Sequence, residues 1–283
     1  MKRFLIIPNV QKDPAQEVSS SVCAYLEARG AFARVLPEGK TLDAAVSEAD
    51  APFDALVVIG GDGSVLDAAV GAMKHGLPLC GVNLGRLGYL AEVEAADLSP
   101  LSRLVDGSCL ETKRITLRLE VLHKNGEVEV CERPAVNEVF VSHGTSFGIA
   151  DMTLTHTNGT TIRYRGDGIL VATPSGSTAY SFSAGGPMLD PNLDAFCVTP
   201  VCPHTFFNRP MVLGGENTVE ITNTSAKGEV LLASVDGRNR YEVAVGDSVR
   251  ITRREDVLRL LSFGALSTMT TLRQKMDLAE AKD

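Results

Sequence analysis

The chain has 283 residues, 44% of them hydrophobic and 22% charged, which is ordinary for a globular protein with room for two domains. Its formal net charge of −8 argues against a nucleic-acid partner, because such proteins present a basic surface. No apolar run approaches the roughly 20 residues that cross a bilayer, so we expect a cytoplasmic protein without a membrane partner.

The six cysteines are scattered along the chain and form no C-x-x-C pair. A chain of this length does not need disulfides, and the spacing fits no zinc site. We therefore predict buried free thiols and no metal site built from protein side chains.

Strands and helices alternate over the first hundred residues. Phe4–Ile7 follows two basic residues, as in a signal peptide, but Pro8 ends the run after four residues, so we predict a buried strand. Asp13 is predicted to cap a helix that has Pro14 at its first position, Gln16 closing a capping box and Gly30 at its end. The remaining predicted elements are the strands Phe32–Leu36, Ala55–Ile59 and Leu79–Val82 and the helix Ser64–His75. This alternation predicts an α/β domain with a parallel sheet over residues 1–110.

Around residue 111 the hydrophobic period changes from 3.6 to 2. Asn125-Gly126 and Asn158-Gly159 each separate two alternating runs, which predicts two β-hairpins. Further alternating runs are Val219–Ile221, Val243–Val245 and Val249–Ile251. We predict an all-β, antiparallel, sandwich-like domain over 111–256. The segment 257–283 is expected to add a strand at Leu258–Phe263 and a helix at Thr268–Met276 that packs back on the first domain, with the ligand in a cleft between the two domains.

A glycine-rich turn, Gly60-Gly61-Asp62-Gly63-Ser64, follows a buried strand and begins a helix. Such a turn lets the backbone approach a phosphate at the positive end of the helix dipole. It lacks the lysine of a P-loop, and Leu66 stands where a Rossmann fingerprint needs glycine, which argues against an oxidoreductase. The turn alone is equally consistent with a helix capped by Asp62 or Ser64. A carboxylate weakens an anion site, however, so Asp62 makes sense there if it handles a proton or a metal ion.

Several longer motifs occur together in one order. They are Gly-Val-Asn-Leu-Gly-Arg-Leu-Gly-Tyr-Leu at 81–90, Asn-Glu-Val at 137–139, Asp-Gly-Ile-Leu-Val-Ala-Thr-Pro-Ser-Gly-Ser-Thr-Ala-Tyr-Ser at 167–181, Ala-Gly-Gly-Pro at 184–187, Pro-His-Thr-Phe-Phe-Asn-Arg-Pro at 203–210 and Val-Asp-Gly at 235–237. With the glycine-rich turn, they resemble the NAD kinase family over residues 54 to 240. The resemblance implies a Rossmann-like N-terminal domain and a β-rich C-terminal domain. It also implies transfer of the terminal phosphoryl group of ATP to the 2′-hydroxyl of the adenosine ribose of NAD.

The resemblance also implies a role for individual residues. Asp62 corresponds to the catalytic base, and Asn137 and Glu138 to the pair that holds adenine and ribose. Arg165 corresponds to a basic position that accompanies preference for NAD over NADH. The other implied ligand-binding residues are Gly61, Gly63 and Ser64 at phosphates, Asp167 toward the nicotinamide carboxamide, Ser175, Thr178, Ala179 and Tyr180 in the dinucleotide pocket, and Asp236 close to the ligand. The family resemblance further implies Mg²⁺, or another divalent cation, held mainly by ATP, and a homotetramer or homodimer.

Other interpretations of these residues remain open at this stage. Asn137-Glu138 alone fits an exposed β-turn, and Thr178–Tyr180 fits a first helical turn capped by Ser177. Tyr180 is predicted either to stack on adenine or to fill the core, and Asp236-Gly237 fits a hairpin turn. The glycine-rich turn also occurs in phosphofructokinases and diacylglycerol-type lipid kinases, and a regulator could bind a dinucleotide without turnover.

Overall fold

The structure, a computed structural model, describes residues 2–13, 16–85, 88–144, 149–226 and 228–264. The described strands are β1 Arg3–Ile7, β2 Phe32–Val35, β3 Ala55–Gly60, β4 Leu79–Asn83, β5 Val93–Glu94, β6 Leu110–Arg114, β7 Leu117–Leu122, β8 Val128–Val130, β9 Glu138–His143, β10 Ala150–His156, β11 Thr161–Gly166, β12 Gly168–Ala172, β13 Ala195–Val201, β14 Met211–Gly214, β15 Thr218–Asn223, β16 Leu231–Val235, β17 Arg240–Val243, β18 Ser248–Arg253 and β19 Leu258–Ser262. The described α-helices are α1 Glu17–Glu27, α2 Leu42–Ser47, α3 Asp62–Lys74, α4 Ser102–Asp106 and α5 Tyr180–Ser183. None of these helices is both long and apolar enough to cross a membrane.

The chain divides into two compact units. The first comprises the described residues of Met1–Lys113 and Leu258–Asp283 and is built on a seven-stranded sheet of order β2-β1-β3-β4-β19-β6, with β5 paired to β4. Pairings of β1 with β2 and β3, and of β4 with β3, β5 and β19, are parallel. Every residue of β3 is buried, which explains why its sequence is a continuous apolar run.

The order of this sheet places a topological switch point at β1. The chain moves from β1 to β2 on one side and then returns to β3 on the other side. In open parallel sheets, ligands bind beyond the carboxyl ends of the strands at such a point. Residues 8–12 and 61–64, which follow β1 and β3, are therefore candidates for a ligand site.

The second unit, Arg114–Val257, consists of two six-stranded antiparallel sheets. Their orders are β11-β10-β15-β18-β7-β8 and β14-β13-β12-β9-β16-β17. Alternate residues of both sheets share one hydrophobic core, with Leu119, Val141 and Phe196 fully buried in it. The α/β plus antiparallel β fold class predicted from periodicity is thereby confirmed, and both predicted hairpins form, with positive φ at Gly126 and Gly159.

Some local predictions were wrong. Helix α1 begins at Glu17 after Gln16, which adopts φ of 52°, although Asp13 still accepts the N–H of Ser19 at 3.0 Å. The strand predicted at Val243–Val245 ends at Val243, because Gly246 makes a turn. All six cysteines are free, but only Cys80, Cys131 and Cys197 are buried, whereas Cys23 and Cys109 are partly buried and Cys202 is exposed. The helix predicted at Thr268–Met276 lies outside the described residues.

Candidate functional site

The glycine-rich turn joins β3 to α3 in the first unit. Asn9, which follows β1, donates its side-chain amide to the Ser64 hydroxyl at 2.7 Å. The N-cap residue of α3 is Gly61, which makes no side-chain capping bond. Ser64 therefore links the turn to the segment after β1, and the N-terminal end of α3 carries no side-chain cap from its own N-cap residue.

The Asp62 carboxylate is bound by the backbone of a distant segment. Its Oδ2 accepts the N–H of Tyr89 at 2.9 Å, and its Oδ1 accepts those of Leu90 and Ala91 at 3.0 and 3.2 Å. Gly88 lets this segment approach, because a Cβ there would overlap Asp62 Oδ1. A carboxylate offers about four lone-pair sites, so three N–H donors orient the group while leaving it able to accept one more hydrogen bond.

Two residues near the turn were missed by the sequence analysis, Asn9 and Lys12. The Lys12 Nζ lies 3.6 Å from the position that a Cβ on Gly61 would occupy. Within the described residues, no carboxylate forms an ion pair with this exposed ammonium. Their position directly after β1, whose carboxyl end neighbours that of β3, was the signal that could have identified them.

A second candidate site lies in the β-rich unit, where one face of a sheet forms a cavity of about 380 Å³. Its lining residues are Glu138, Phe140, Ser142, Tyr180, Leu232, Ser234, Gly237 and Arg240. In β9 and β16 the alternate residues, such as Val139 and Ala233, belong to the core instead. The period-2 alternation after Asn137 could therefore have identified Phe140 and Ser142 as residues on the same face as Glu138. No sequence pattern pointed to Arg240.

Glu138 is the least satisfied polar group of this cavity. Its Oε2 is buried and has no hydrogen-bond partner among the described residues. Burial, with a further contribution from the charge of Asp236, raises the pKa of Glu138 to about 7. A buried carboxyl oxygen without a partner costs free energy unless a ligand or water supplies one, which makes Glu138 a candidate ligand-binding residue.

Tyr180 lies at the same cavity and is 44% exposed, so it does not fill the core. Its ring meets that of Phe140 edge to face, with centroids 5.3 Å apart and an interplanar angle of 86°. Helix α5 begins at Tyr180 after Ala179, without a side-chain cap, and Ser177 donates instead to the Pro174 carbonyl at 2.6 Å. The interpretation of Ser177 as a helix cap is therefore wrong.

Asn137 and Glu138 are held on two sides. The Asp236 carboxylate accepts the N–H groups of Val136, Asn137 and Glu138 at 3.0, 2.8 and 3.0 Å. On the carbonyl side, Thr173 donates its N–H to Asn137 O at 2.8 Å and its hydroxyl to Val136 O at 2.6 Å. Glu138 begins β9, so the pair is not an exposed β-turn.

The 167–181 motif continues around this backbone. Gly176 lies so close to Asn137 that a Cβ would overlap the Asn137 carbonyl oxygen. Ser175 precedes a short 3₁₀ turn, Gly176–Thr178, and accepts the Thr178 hydroxyl at 3.1 Å through its carbonyl. Close backbone packing therefore accounts for the glycine at position 176 of this motif.

Arg165 lies in β11, and Asp167 is the single residue between β11 and β12. The Arg165 side chain is 61% exposed, with its Nε 3.7 Å from Asp151 Oδ1. Asp167 raises the pKa of the exposed Cys202 thiol through a hydrogen bond and its charge. Neither Arg165 nor Asp167 is among the described residues that line the 380 Å³ cavity.

Comparison with known proteins identifies the family. The ATP-NAD kinase N-terminal domain matches residues 6–107, and the ATP-NAD kinase C-terminal domain matches residues 136–262. The chain belongs to the ATP-NAD kinase family. It is 34% identical to an NAD kinase of Symbiobacterium thermophilum, covering 98% of this chain and 99% of the relative. It is 35% identical to an NAD kinase of Geobacter sulfurreducens, covering 99% and 100% respectively.

Solved structures share the fold of this family member. A yeast NADH kinase complexed with NADH superposes with a TM-score of 0.81 at 21% identity, covering 98% of this chain and 88% of the yeast chain. An NAD kinase from Archaeoglobus fulgidus in complex with ATP gives a TM-score of 0.74 at 22% identity, covering 96% and 98%. These likenesses support the two-part architecture described above.

Proposed function

We propose that this NAD kinase family enzyme transfers the terminal phosphoryl group of ATP to the 2′-hydroxyl of the adenosine ribose of NAD. The observation that carries the proposal is the buried, unpaired Glu138 oxygen at the cavity of the β-rich unit. A ribose bears vicinal hydroxyls, which can satisfy such an oxygen, and the exposed Tyr180 ring beside it offers a face to a purine.

The acceptor therefore binds with its adenosine at this cavity. Glu138 bonds the ribose, and Asn137, whose backbone is fixed by Asp236 and Thr173, bonds the adenine edge. Arg240, on the same lining, supplies a cation for the phosphates that follow the ribose. Ser175, Thr178 and Ala179 do not line the cavity itself, and we propose that they contact the dinucleotide beside it. Asp167 and Arg165 are proposed at the nicotinamide end, where Arg165 favours NAD over NADH.

The phosphoryl donor binds at the glycine-rich turn of the first unit. Gly61 and Gly63 leave room for phosphate oxygens at the amino end of α3, and the Ser64 hydroxyl lies beside them. Lys12 supplies a positive charge for the donor phosphates, as the P-loop lysine does in P-loop proteins. Among the described residues no cluster of His, Cys, Asp and Glu could hold a metal ion. A divalent cation is proposed to arrive as part of the donor, coordinated by triphosphate oxygens and water.

Asp62 is proposed to act as the base. A ribose hydroxyl is far too weak an acid to be ionised beforehand by a carboxylate. The proton instead moves to Asp62 as the bond between the 2′-oxygen and phosphorus forms and the bond to the nucleoside diphosphate breaks. The N–H groups of Tyr89, Leu90 and Ala91 hold the carboxylate in one orientation while this happens.

The decisive experiment incubates the purified protein with NAD, Mg²⁺ and a phosphoryl donor, and detects NADP with a dehydrogenase that accepts only NADP. We expect NADP with ATP, and parallel reactions with other nucleoside triphosphates and with polyphosphate rank the donors. Binding of NAD without any NADP formation would instead favour a non-catalytic dinucleotide-binding regulator. Phosphorylation of a sugar or a lipid, but not of NAD, would favour another kinase class.

We also propose a cytoplasmic homo-oligomer, either a tetramer or a dimer. The exposed apolar side chains Phe206 and Val212 in the β-rich unit are consistent with a self-association surface. Light scattering at micromolar concentration is expected to give a multiple of 30.1 kDa. A mass equal to a single chain would contradict the proposed oligomer.

A further inference from the structure

Asp236 has the geometry of a buried structural anchor. It is 5% exposed and adopts φ of 49°, a value that residues other than glycine rarely take. Oδ2 accepts the N–H of Val136, and Oδ1 accepts those of Asn137 and Glu138. Its own N–H donates to Glu138 O at 3.0 Å. The side chain and the main chain of Asp236 are thus both engaged with one short segment.

We propose that Asp236 is a positioning residue, which fixes the backbone of Val136–Glu138 and through it holds the Glu138 carboxyl at the cavity, without itself contacting NAD. This inference rests on the proposed function, and it departs from the expectation that Asp236 binds the ligand directly. Asp236 is almost fully buried, its carboxylate already accepts three N–H groups, and it is not among the described residues that line the cavity.

The negative charge of Asp236 gives it a second effect on Glu138. Burial raises the pKa of Asp236, while the N–H groups that it accepts and the positive charge of Arg133 act in the opposite direction. The negative charge of Asp236 adds to burial in raising the pKa of Glu138, and so favours the neutral form of Glu138. Besides Glu138, the described residues that line the cavity include two ionisable side chains, Arg240 and Tyr180. Asp236 therefore influences both where Glu138 lies and when it ionises.

Thr173 provides a matched comparison, because it holds the same segment without a charge. Its hydroxyl donates to Val136 O and accepts the N–H of Gly176 at 3.0 Å. Thr173→Val keeps the shape of the side chain but removes both bonds. It should therefore displace the segment and leave the electrostatic effect of Asp236 in place.

The test compares wild type, Asp236→Asn and Thr173→Val by steady-state kinetics and NAD-binding calorimetry between pH 5.5 and 8.5. An ionised Glu138 accepts stronger hydrogen bonds from ribose hydroxyls, so we expect the wild-type KM for NAD to fall as the pH rises through about 7. In Asp236→Asn the amide group cannot accept all three N–H groups, so we expect about a tenfold higher KM and kcat within about threefold. We also expect the pH midpoint of KM to move to lower pH.

Thr173→Val is expected to raise KM while it keeps the wild-type pH midpoint. If Asp236→Asn leaves both KM and the pH midpoint within error of wild type, or lowers kcat alone, the proposal is overturned. Calorimetry separates this failure from a failure of the proposed function, because NAD binding is measured without turnover. An enzyme that makes no NADP with any donor refutes the function, whereas unaltered NAD binding by Asp236→Asn refutes only the role of Asp236.

A measurement on the wild-type protein covers the case in which Asp236→Asn does not fold. The N–H groups of Val136, Asn137 and Glu138 should be protected from deuterium exchange in the absence of NAD, because Asp236 accepts all three. Exchange of these amides at the rate of an unstructured peptide would overturn the proposal.

Discussion

The carboxylate of Asp62 accepts the backbone N–H of Tyr89 at 2.9 Å, across 27 positions of the chain. With the neighbouring bonds to Leu90 and Ala91, this contact ties the glycine-rich turn to the end of the Gly81–Leu90 motif. Two motifs that are separate in the sequence therefore form one structural unit. The proposed base is oriented by backbone donors, which do not change when a side chain is substituted.

Asp62→Asn separates the two roles of this residue. The amide oxygen of Asn can still accept the N–H groups of Leu90 and Ala91, but its NH₂ group would face the N–H of Tyr89, donor against donor. The amide also cannot take a proton from the ribose hydroxyl. We expect kcat to fall by about 10²–10⁴-fold with little change in NAD affinity. The lost hydrogen bond should cost about 1–3 kcal/mol in urea unfolding. A folded variant that keeps more than about a tenth of the wild-type kcat would show that the base lies elsewhere.

Lys12→Met removes a cation beside Gly61 and keeps most of the aliphatic side chain. A charged hydrogen bond contributes about 1.5–3 kcal/mol, so we expect the KM for ATP to rise by about 10–100-fold. The KM for NAD should stay the same. Lys113→Met, an exposed position on the edge strand β6, is the control and should alter neither constant. An equal effect of both variants would refute a specific role for Lys12.

Gly176→Ala would place a methyl group on the Asn137 carbonyl oxygen and push the Val136–Glu138 segment aside. Crowding of this kind typically costs about 1–3 kcal/mol, and we expect the KM for NAD to rise together with the loss of stability. Gly159→Ala is the matched control. Gly159 lies in a hairpin turn with φ of 82°, so an alanine there is strained, but its Cβ would meet no neighbouring atom. It should lower the melting temperature but leave KM unchanged, and parallel KM changes in both variants would contradict the assignment.

Glu138 makes the stability of the unliganded protein depend on pH. Its pKa is about 7 in the folded state against 4.5 for the unperturbed group, so the folded state binds more protons between these values. The stability that protonation of Glu138 gives the folded state is therefore fully present below pH 4.5. It is lost as the pH rises through about 7. Glu138→Gln stays neutral, and relative to wild type it should gain on the order of 2–3 kcal/mol between pH 4.5 and pH 8. Parallel unfolding curves at both pH values would contradict the burial of Glu138.

Local sequence patterns were sufficient for much of the fold. The continuous apolar run of β3 indicated a strand covered on both faces, and the Asn-Gly pairs at 125–126 and 158–159 indicated hairpins. These predictions succeeded because the spacing of buried residues along a strand and the positive φ of a turn glycine are both encoded within a few consecutive residues. The predicted start of α1 failed because Gln16 takes a left-handed conformation while Asp13 reaches Ser19, a choice that the capping pattern did not encode.

The sequence by itself determined the family, through motifs in a fixed order, and with it the identity of Asp62, Asn137 and Glu138 as candidate residues. Only the tertiary structure decided how these residues are held. The contact of Asp236 with Asn137 spans 99 positions, and that of Asn9 with Ser64 spans 55. Such contacts depend on which strands become neighbours in a sheet, and strand order is set by long-range packing and not by any local periodicity. For the same reason, the unpaired Glu138 oxygen could be recognised only after the surrounding side chains had been placed.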